Sequence, residues 1–516
     1  MATTGETGAG DRLTRLSRHV TTTGERERRP VEAPWTGKQV GTVPECTPAD
    51  VEAAVERARE AGEAWAAHPV EERTAVLDRF AELVADHRDE LLDLLGTEAG
   101  KARRDAYDEI LGVASEARYY ADTADEVLAE ESRDGALGPL TRATVRHEPR
   151  GVVGMICPWN YPFVLTAADA VPALVAGNAV VLKPDEHTPF IACRALELLR
   201  EAGLPEDVLQ IVTGDGADLG EPLIADSDYV SFTGSREAGR AVASLAGEHL
   251  VDCSLELGGK NPMLVLDDAD VGTAVRGAVR GAFASAGQLC VSVERIYVHE
   301  SLYAAFLERF VDATERLELG ARHGMDVDVG SLASGDQLER VRAHVEDARE
   351  RGATVATGGR ARPDVGPYAY EPTVLTGVEP GMELHSEETF GPVVSVYPVA
   401  DTGEAVERAN DSDYGLNAAV FTGDTDRGRE VAARVEAGTV NVNDAWTAAM
   451  GSMDAPQGGI KNSGIGVRHG PEGLLKYTDS RSVLVQRGGP IAIPNWVPGR
   501  LYERVAGTLL RFGDRL

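Results

Sequence analysis

Residues 151–157 read GVVGMIC, and residues 179–183 read AVVLK. Each is an apolar run of strand length, and AVVLK is rich in β-branched residues. A helix-like apolar segment fills the interval as far as Ala176. Beyond AVVLK come a helix over about 189–202, LQIV (209–212), a short helix, YVSF (229–232) and another helix. Short apolar strands alternating with helices predict a parallel, doubly wound α/β sheet. The pattern resumes after residue 262 with MLVL (263–266), a helix over 270–286, RIYV (295–298) and a helix from 301. Two successive α/β domains are therefore predicted, joined within ELGGKNP (256–262).

Outside this core the pattern changes. The stretch up to Arg29 is polar and reads as loose. Thr47-Pro48-Ala49-Asp50 is a helix start: Thr47 can cap, Pro48 suits the first turn, and Asp50 complements the positive end. Residues 71–95 have the apolar spacing of one amphipathic helix. The last segment, LYERVAGTLLRF (501–512), places Leu501, Val505, Leu509 and Phe512 at helical spacing and is basic. It reads as a helix docked on the acidic body or on a sister subunit, with peripheral membrane contact as the alternative.

The 516 residues carry 84 acidic and 51 basic side chains, for a net charge of −33. Only six of the basic residues are lysine. Such a surface repels nucleic acid and anionic lipid, which makes both poor partners. Together with the lysine depletion it points to a protein adapted to concentrated salt, where the Debye length falls to ~3 Å. No apolar run approaches the ~20 residues of a spanning helix, and the N-terminus has no apolar signal core. The cysteines, Cys46, Cys157, Cys193, Cys253 and Cys290, are odd in number and form no CxxC pair. A disulfide framework and a metal site are not expected; a reducing cytoplasm and a free catalytic thiol are.

Three short motifs suit chemistry together. GQLC (287–290) offers a thiol, ELGGK (256–260) a carboxylate beside two glycines, and PWNYP (158–162) an amide on stiffened backbone after a strand. Each is weak alone, since a free cysteine is more often a small core residue. Donor, carboxylate and thiol in one α/β protein suit acyl chemistry through a thioester.

These motifs occur with KPDE (183–186), FTGSREAG (232–239), EETFGP (387–392) and GGIKNSGIG (458–466), all in one order. In that order the chain resembles the NAD(P)-dependent aldehyde dehydrogenases, over about residues 35–485. The resemblance implies a fold of two doubly wound parallel-sheet domains plus a small β arm. Residues 30–141 and 151–257 would bind NAD(P), 258–457 would form the catalytic domain, and 142–150 with 478–490 the oligomerisation arm. Residues 491–516 would be a C-terminal amphipathic extension.

By the same resemblance Cys290 would be the nucleophile, and Asn160 with the Cys290 N–H the oxyanion hole. Glu256 would be the general base. Lys260 would be either a supporting residue or half of an ion pair. The cofactor would meet Thr233, Gly234, Ser235, Leu257 and Trp159, with Lys183 and Glu186 on the adenosine ribose. Glu388 and Phe390 would lie at the nicotinamide end. Core packing is an equal reading for Trp159 and Phe390. A carboxylate at Glu186 favours NAD over NADP, because it binds ribose hydroxyls and repels a 2′-phosphate. A homodimer or homotetramer is implied.

Several stretches, among them YEPTVLT (370–376) and RHGPEGLLKYT (468–478), resemble a succinate-semialdehyde dehydrogenase branch. Two arginines hold the substrate carboxylate in other such enzymes; here Ala168 and Ala284 stand at those positions. Either another arginine enters the tunnel, or the substrate is a less charged aldehyde. Gln457 and the loop 445–455 are expected to line that tunnel.

Overall fold

A computed structural model describes residues 13–136, 140–320, 324–487 and 496–512. Among the described residues a short 3-10 turn, Ser17–His19, precedes a hairpin of β1 (Arg28–Ala33) and β2 (Lys38–Pro44), which four helices follow. Next come β3 (Glu131–Arg133) and β4 (Thr141–Pro149). The first large sheet uses β5 (Val152–Ile156), β6 (Ala179–Lys183), β7 (Leu209–Ile211), β8 (Tyr229–Thr233) and β9 (Asp252–Glu256). The second uses β10 (Asn261–Val265), β11 (Val293–His299), β12 (Thr354–Thr357), β13 (Thr373–Thr376) and β14 (Val393–Val399). A short β15 (Tyr414–Gly415) precedes two more strands of that sheet, β16 (Asn417–Phe421) and β17 (Thr439–Val442). Finally come β18 (Ile460–Lys461), β19 (Gly464–Ile465) and β20 (Thr478–Gln486).

The first sheet has the order β19-β9-β8-β5-β6-β7 and is parallel except at β19. The second has the order β12-β13-β14-β11-β10-β16-β17 and is parallel except at β12. The predicted α/β class holds. Helices cover both faces of a parallel sheet, so its strands are apolar throughout rather than alternating. β6, β10 and β16 are buried at every residue. Each wholly buried valine there contributes about 1.5–3 kcal/mol.

Only four residues, Leu257 to Lys260, separate β9 from β10. The C-terminal ends of β8 and β9 thus meet the N-terminal edge of the second sheet. The start of β16 is fixed there too: Asn417 N–H donates to Asn261 Oδ1 at 3.0 Å. A parallel sheet places its ligands at the carboxyl ends of its strands. In this protein that rim faces the second sheet, not open solvent.

Three local expectations are corrected. Residues 13–29 are not loose: Leu16 and Val20 are buried, and Thr21 N–H donates to Ile211 O at 2.8 Å. Asp50 secures this segment by accepting from Thr23 N–H at 2.6 Å and pairing with Arg26 at 2.7 Å. The helix expected over 71–95 is two, Val70–Asp86 and Arg88–Ala99, broken where His87 takes φ −95° and ψ 11°. The apolar segment before Ala176 opens as a π-helix, Val164–Ala168, before the α-helix Asp169–Val175. Pro172, which has no N–H, and Glu109, which accepts Phe163 and Val164 N–H at 2.8 and 3.2 Å, account for the irregular start.

β4 and β20 pair antiparallel along their whole length, Thr478↔Pro149 to Gln486↔Thr141. β3 adds a third strand to this arm from before residue 142, where the expected boundary lay. Residues 488–490 of the expected arm lie outside the described residues, as do 491–495 and 513–516 of the extension. The extension forms a helix, Gly499–Phe512, with Leu501, Tyr502 and Val505 exposed. No helix among the described residues is long and apolar enough to cross a membrane.

Candidate active site

Cys290 is presented by a loop held in an uncommon backbone conformation. The helix Val271–Phe283 ends, and Ser285, Ala286 and Gly287 follow with φ of 51°, 56° and 69°. Left-handed non-glycine residues cost about 1–3 kcal/mol each and persist only where the surroundings over-determine them. Here they do. Ser285 N–H donates to Asp105 Oδ2 at 2.8 Å. The Gln288 amide donates to Ser285 O and Ser331 O and accepts Ala333 N–H at 2.9 Å. A Cβ at residue 287 would lie 2.0 Å from Gly391 O, so only glycine fits. Asn261 Nδ2 donates to Cys290 O at 2.7 Å and to Ser292 O at 2.8 Å, which anchors the far side. Asn160 Nδ2 donates to Gln288 O at 3.1 Å, so the amide of PWNYP reaches the thiol loop directly.

Glu256 closes β9, opposite Thr233 on β8 and Gly464 on β19. Its Oε1 is buried without a hydrogen-bond partner. Burial pushes this carboxyl up to about 7, against the pull of Arg468, Lys476 and His469, while Asp169 pushes it further up. Burial likewise pushes the Cys290 thiol up to about 12; Arg468 opposes the rise, and Glu256 and Glu388 add to it. Burial also drives Glu388 up to about 8, helped by Glu294 and resisted by the Gly259 N–H, which donates to Oε1 at 2.8 Å.

One cavity of about 210 Å³ is lined by Pro158, Trp159, Asn160, Thr233, Gly234, Ser235, Glu256, Leu257, Gly258, Cys290, Gln337, Arg340, Glu388 and Phe390. It gathers the predicted Cys290, Glu256 and Asn160 with seven of the predicted cofactor positions. At one end Ser235 caps the helix Arg236–His249, its Oγ accepting Ala238 N–H at 3.2 Å. The N–H groups and dipole of that helix start suit an anion such as pyrophosphate. At the other end Trp159 and Phe390 meet edge to face with ring centroids 5.6 Å apart. Both rings line the cavity, so they serve it as well as each other.

Lys183 and Glu186 are not among these lining residues. Lys183 closes β6 with its side chain beside Gly216, the start of the helix Gly216–Asp226. Glu186 lies 3.6 Å from Arg29, which also pairs with Glu45 at 2.7 Å. Arg29, from the segment expected to be loose, carried no signal of this contact. Asp185, Glu186 and His187 bring three possible ligand atoms together, but Asp185–His187 and Glu186–Arg29 contacts already account for them.

Lys260 lies outside the cavity as half of an ion pair, 2.6 Å from Glu294 with both side chains almost wholly buried. Gln457 and the loop 445–455 are also absent from its lining; Trp446 is buried and Gln457 pairs its backbone with Arg468.

A model of the "Aldehyde dehydrogenase family" matches residues 20–483. The chain belongs to this family. A Mycobacterium tuberculosis protein printed as "Putative succinate-semialdehyde dehydrogenase [NADP(+)] 2" is 48% identical over 486 residues, 94% of each chain. A similarly named Mycolicibacterium smegmatis protein is 46% identical over 95% of each. Among solved structures, Staphylococcus aureus betaine aldehyde dehydrogenase in complex with NAD+ matches with TM-score 0.86 and 32% identity, covering 95% of this chain and 99% of that one. An Escherichia coli NADP-dependent enzyme matches with TM-score 0.85 and 34% identity, covering 89% and 95%.

For this aldehyde dehydrogenase, reading the sequence missed Gln337 and Arg340 of the cavity, and Asp169 and Arg468 behind Glu256. Gln337 and Arg340 come from the helix Gly335–Glu350, which no motif marked. Arg468 was visible only as one letter of RHGPEGLLKYT.

Proposed function

We propose that this chain oxidises an aldehyde to a carboxylic acid with NAD(P) through a thioester on Cys290, and that succinate semialdehyde is its substrate. The observation that carries the chemistry is the convergence of Cys290, Glu256 and Asn160 on one cavity with a helix N-terminus at its far end. The substrate is taken from the names of the mycobacterial relatives.

The donor set fits a dinucleotide. Thr233, Gly234 and Ser235 would hold pyrophosphate, with Trp159 and Leu257 beside it. Glu388 would accept ribose hydroxyls near Phe390, while Lys183 and Glu186 would meet the adenosine ribose. When bound, the cofactor supplies the hydride acceptor. The Cys290 thiol first gives up its proton to solvent; the thiolate then attacks the aldehyde carbon, and the oxygen takes up negative charge against the Asn160 amide and the Cys290 N–H. Loss of hydride from that carbon leaves a thioester. Glu256 then takes a proton from water as the water attacks the thioester, and the acid leaves with the thiolate restored.

NADP is compatible with Glu186 because Arg29 offsets part of its charge. Residues 30–141 with 151–257 are the cofactor-binding unit and 258–457 the catalytic one. Arm strand β20 is an edge strand among the described residues, with Leu484 and Val485 exposed, which supports pairing with a second subunit in a homodimer or homotetramer. Five free cysteines support a cytoplasmic setting, and the charge supports concentrated salt.

A second reading, broad specificity for uncharged aldehydes, is favoured by one observation. Ala168 and Ala284 are buried and offer no cation, and Arg340, the one arginine among the described residues lining the cavity, donates to Glu388 O at 2.6 Å. The test is kcat/KM for succinate semialdehyde, butanal and benzaldehyde with both cofactors in molar KCl. Preference for succinate semialdehyde supports the first reading; equal or better turnover of butanal replaces it with the second.

A further inference from the structure

Near both Glu256 and Cys290 the protein holds a largely enclosed cation, Arg468, whose side chain is 18% exposed. Arg468 leaves the turn after β19, where its backbone exchanges both hydrogen bonds with Gln457, at 2.7 and 2.8 Å. Its Nη2 donates to Asp169 Oδ2 at 3.2 Å and to Thr233 Oγ1 at 3.0 Å. Asp169 opens the short helix after the π-turn, and Thr233 ends β8 directly beside Glu256. Three elements therefore aim one guanidinium.

Two atoms at this place are left over. Arg468 Nε is buried with no hydrogen-bond partner, and so is Glu256 Oε1. Unsatisfied buried polar groups are rare and point to strain or to use. After burial itself, Arg468 is the strongest influence on both Glu256 and Cys290. The other titratable groups facing Glu256 are Lys476 and His469, which pull its carboxyl down, and Asp169, which pushes it up, with Cys290 also lining the cavity. Glu116 reaches the site through His469, 3.6 Å away.

We propose that Arg468 is the positioning residue for Glu256, a cation fixed from behind by Asp169 and Thr233 that keeps the carboxylate ionised and directed at the Cys290 thioester. This rests on the reading of Glu256 as the base that activates water. An isolated buried carboxylate would otherwise take up a proton and lose its function as base. The proton taken from water passes to Glu256 alone; Arg468 stays charged throughout and exchanges none.

The test uses p-nitrophenyl acetate, which acylates Cys290 without any cofactor. The thiolate displaces nitrophenolate in a burst, and water then releases acetate as Glu256 takes its proton. Steady-state release reports deacylation, and its pH profile reports the ionisation of Glu256. Arg468→Gln should keep the burst amplitude, slow deacylation about tenfold or more out of the ~10²–10⁴ a general base contributes, and move the acid limb upward. The displacement should be about one pH unit or more, the effect of an opposite charge within ~4–6 Å. Arg468→Lys should restore part of both. Asp169→Asn should move the limb the other way, downward, because it removes the negative charge.

Opposite shifts from the two variants support the proposal. Limbs that stay in place, or that move in the same direction, overturn it. If Arg468→Gln fails to fold, Arg468→Lys decides: it keeps the charge but loses the guanidinium's fit to Asp169 and Thr233, so its limb should move upward by a smaller amount, and a limb that stays in place overturns the proposal. A separate outcome concerns the underlying reading: Glu256→Gln that deacylates at the normal rate defeats the base assignment itself.

Discussion

Lys260 Nζ lies 2.6 Å from Glu294 Oε2, and the Glu294 carboxylate also accepts the N–H groups of Thr389 and Phe390 at 3.0 Å. One buried ion pair therefore ties the loop after β9 to the segment that carries Glu388 and Phe390. Breaking such a pair from one side strands a charge and costs about 3–5 kcal/mol. Glu294→Gln should lose stability of that order in urea unfolding and weaken cofactor binding by loosening residues 388–390. A loss below about 1 kcal/mol would mean the pair is dispensable.

The pH dependence of turnover follows from Glu256. Its carboxyl sits at about 7, pushed there by burial. In the proposed mechanism the ionised form is the base, so the rate should fall as pH drops through that value and level off above it. A steady-state profile flat from pH 5.5 to 8 would contradict this.

The thiol is shifted in the same direction by the same cause. Burial pushes Cys290 up to about 12, so the free enzyme holds it protonated at neutral pH. Only the thiolate reacts with an alkylating agent. Inactivation by iodoacetamide should therefore keep accelerating from pH 7 to 10. A plateau reached by pH 8 would show a thiolate already formed.

Glu186 stands 3.6 Å from Arg29. Glu186→Gln should release Arg29 and remove the charge that repels a 2′-phosphate. The ratio of NADP to NAD affinity, measured by calorimetry, should rise. An unchanged ratio would show that Glu186 does not choose the cofactor.

The net charge of −33 is a stability term. Self-repulsion is screened as the Debye length shrinks from ~10 Å at 0.1 M salt to ~3 Å at 1 M. The melting temperature and activity should climb from dilute buffer to molar KCl. Full stability in dilute buffer would remove the argument for salt adaptation.

Much of the site was legible along the chain because its residues stand in short motifs at strand ends. PWNYP follows β5, ELGGK starts at the last residue of β9, and GQLC precedes β11; each motif keeps one candidate group with the backbone that aims it. Other parts were not legible for physical reasons. Arg29 and Glu186 are 157 positions apart in sequence and meet only because the N-terminal segment packs beside the first sheet. The break at His87 and the π-turn at Val164–Ala168 depend on caps and on the distant Glu109, and apolar spacing does not report either.

Sequence alone determined the class of this protein, through the α/β alternation and the order of the motifs, and it singled out Cys290, Glu256 and Asn160 as the candidate site residues. Those follow from local periodicity and from residues that carry chemistry by type. Tertiary structure alone decided what those residues are able to do. Whether Glu256 is a base depends on the water it loses and on the charges of Arg468, Lys476, His469 and Asp169 around it, all far away along the chain. Ionisation is set by the three-dimensional field and the depth of burial, and neither is written in the neighbouring letters.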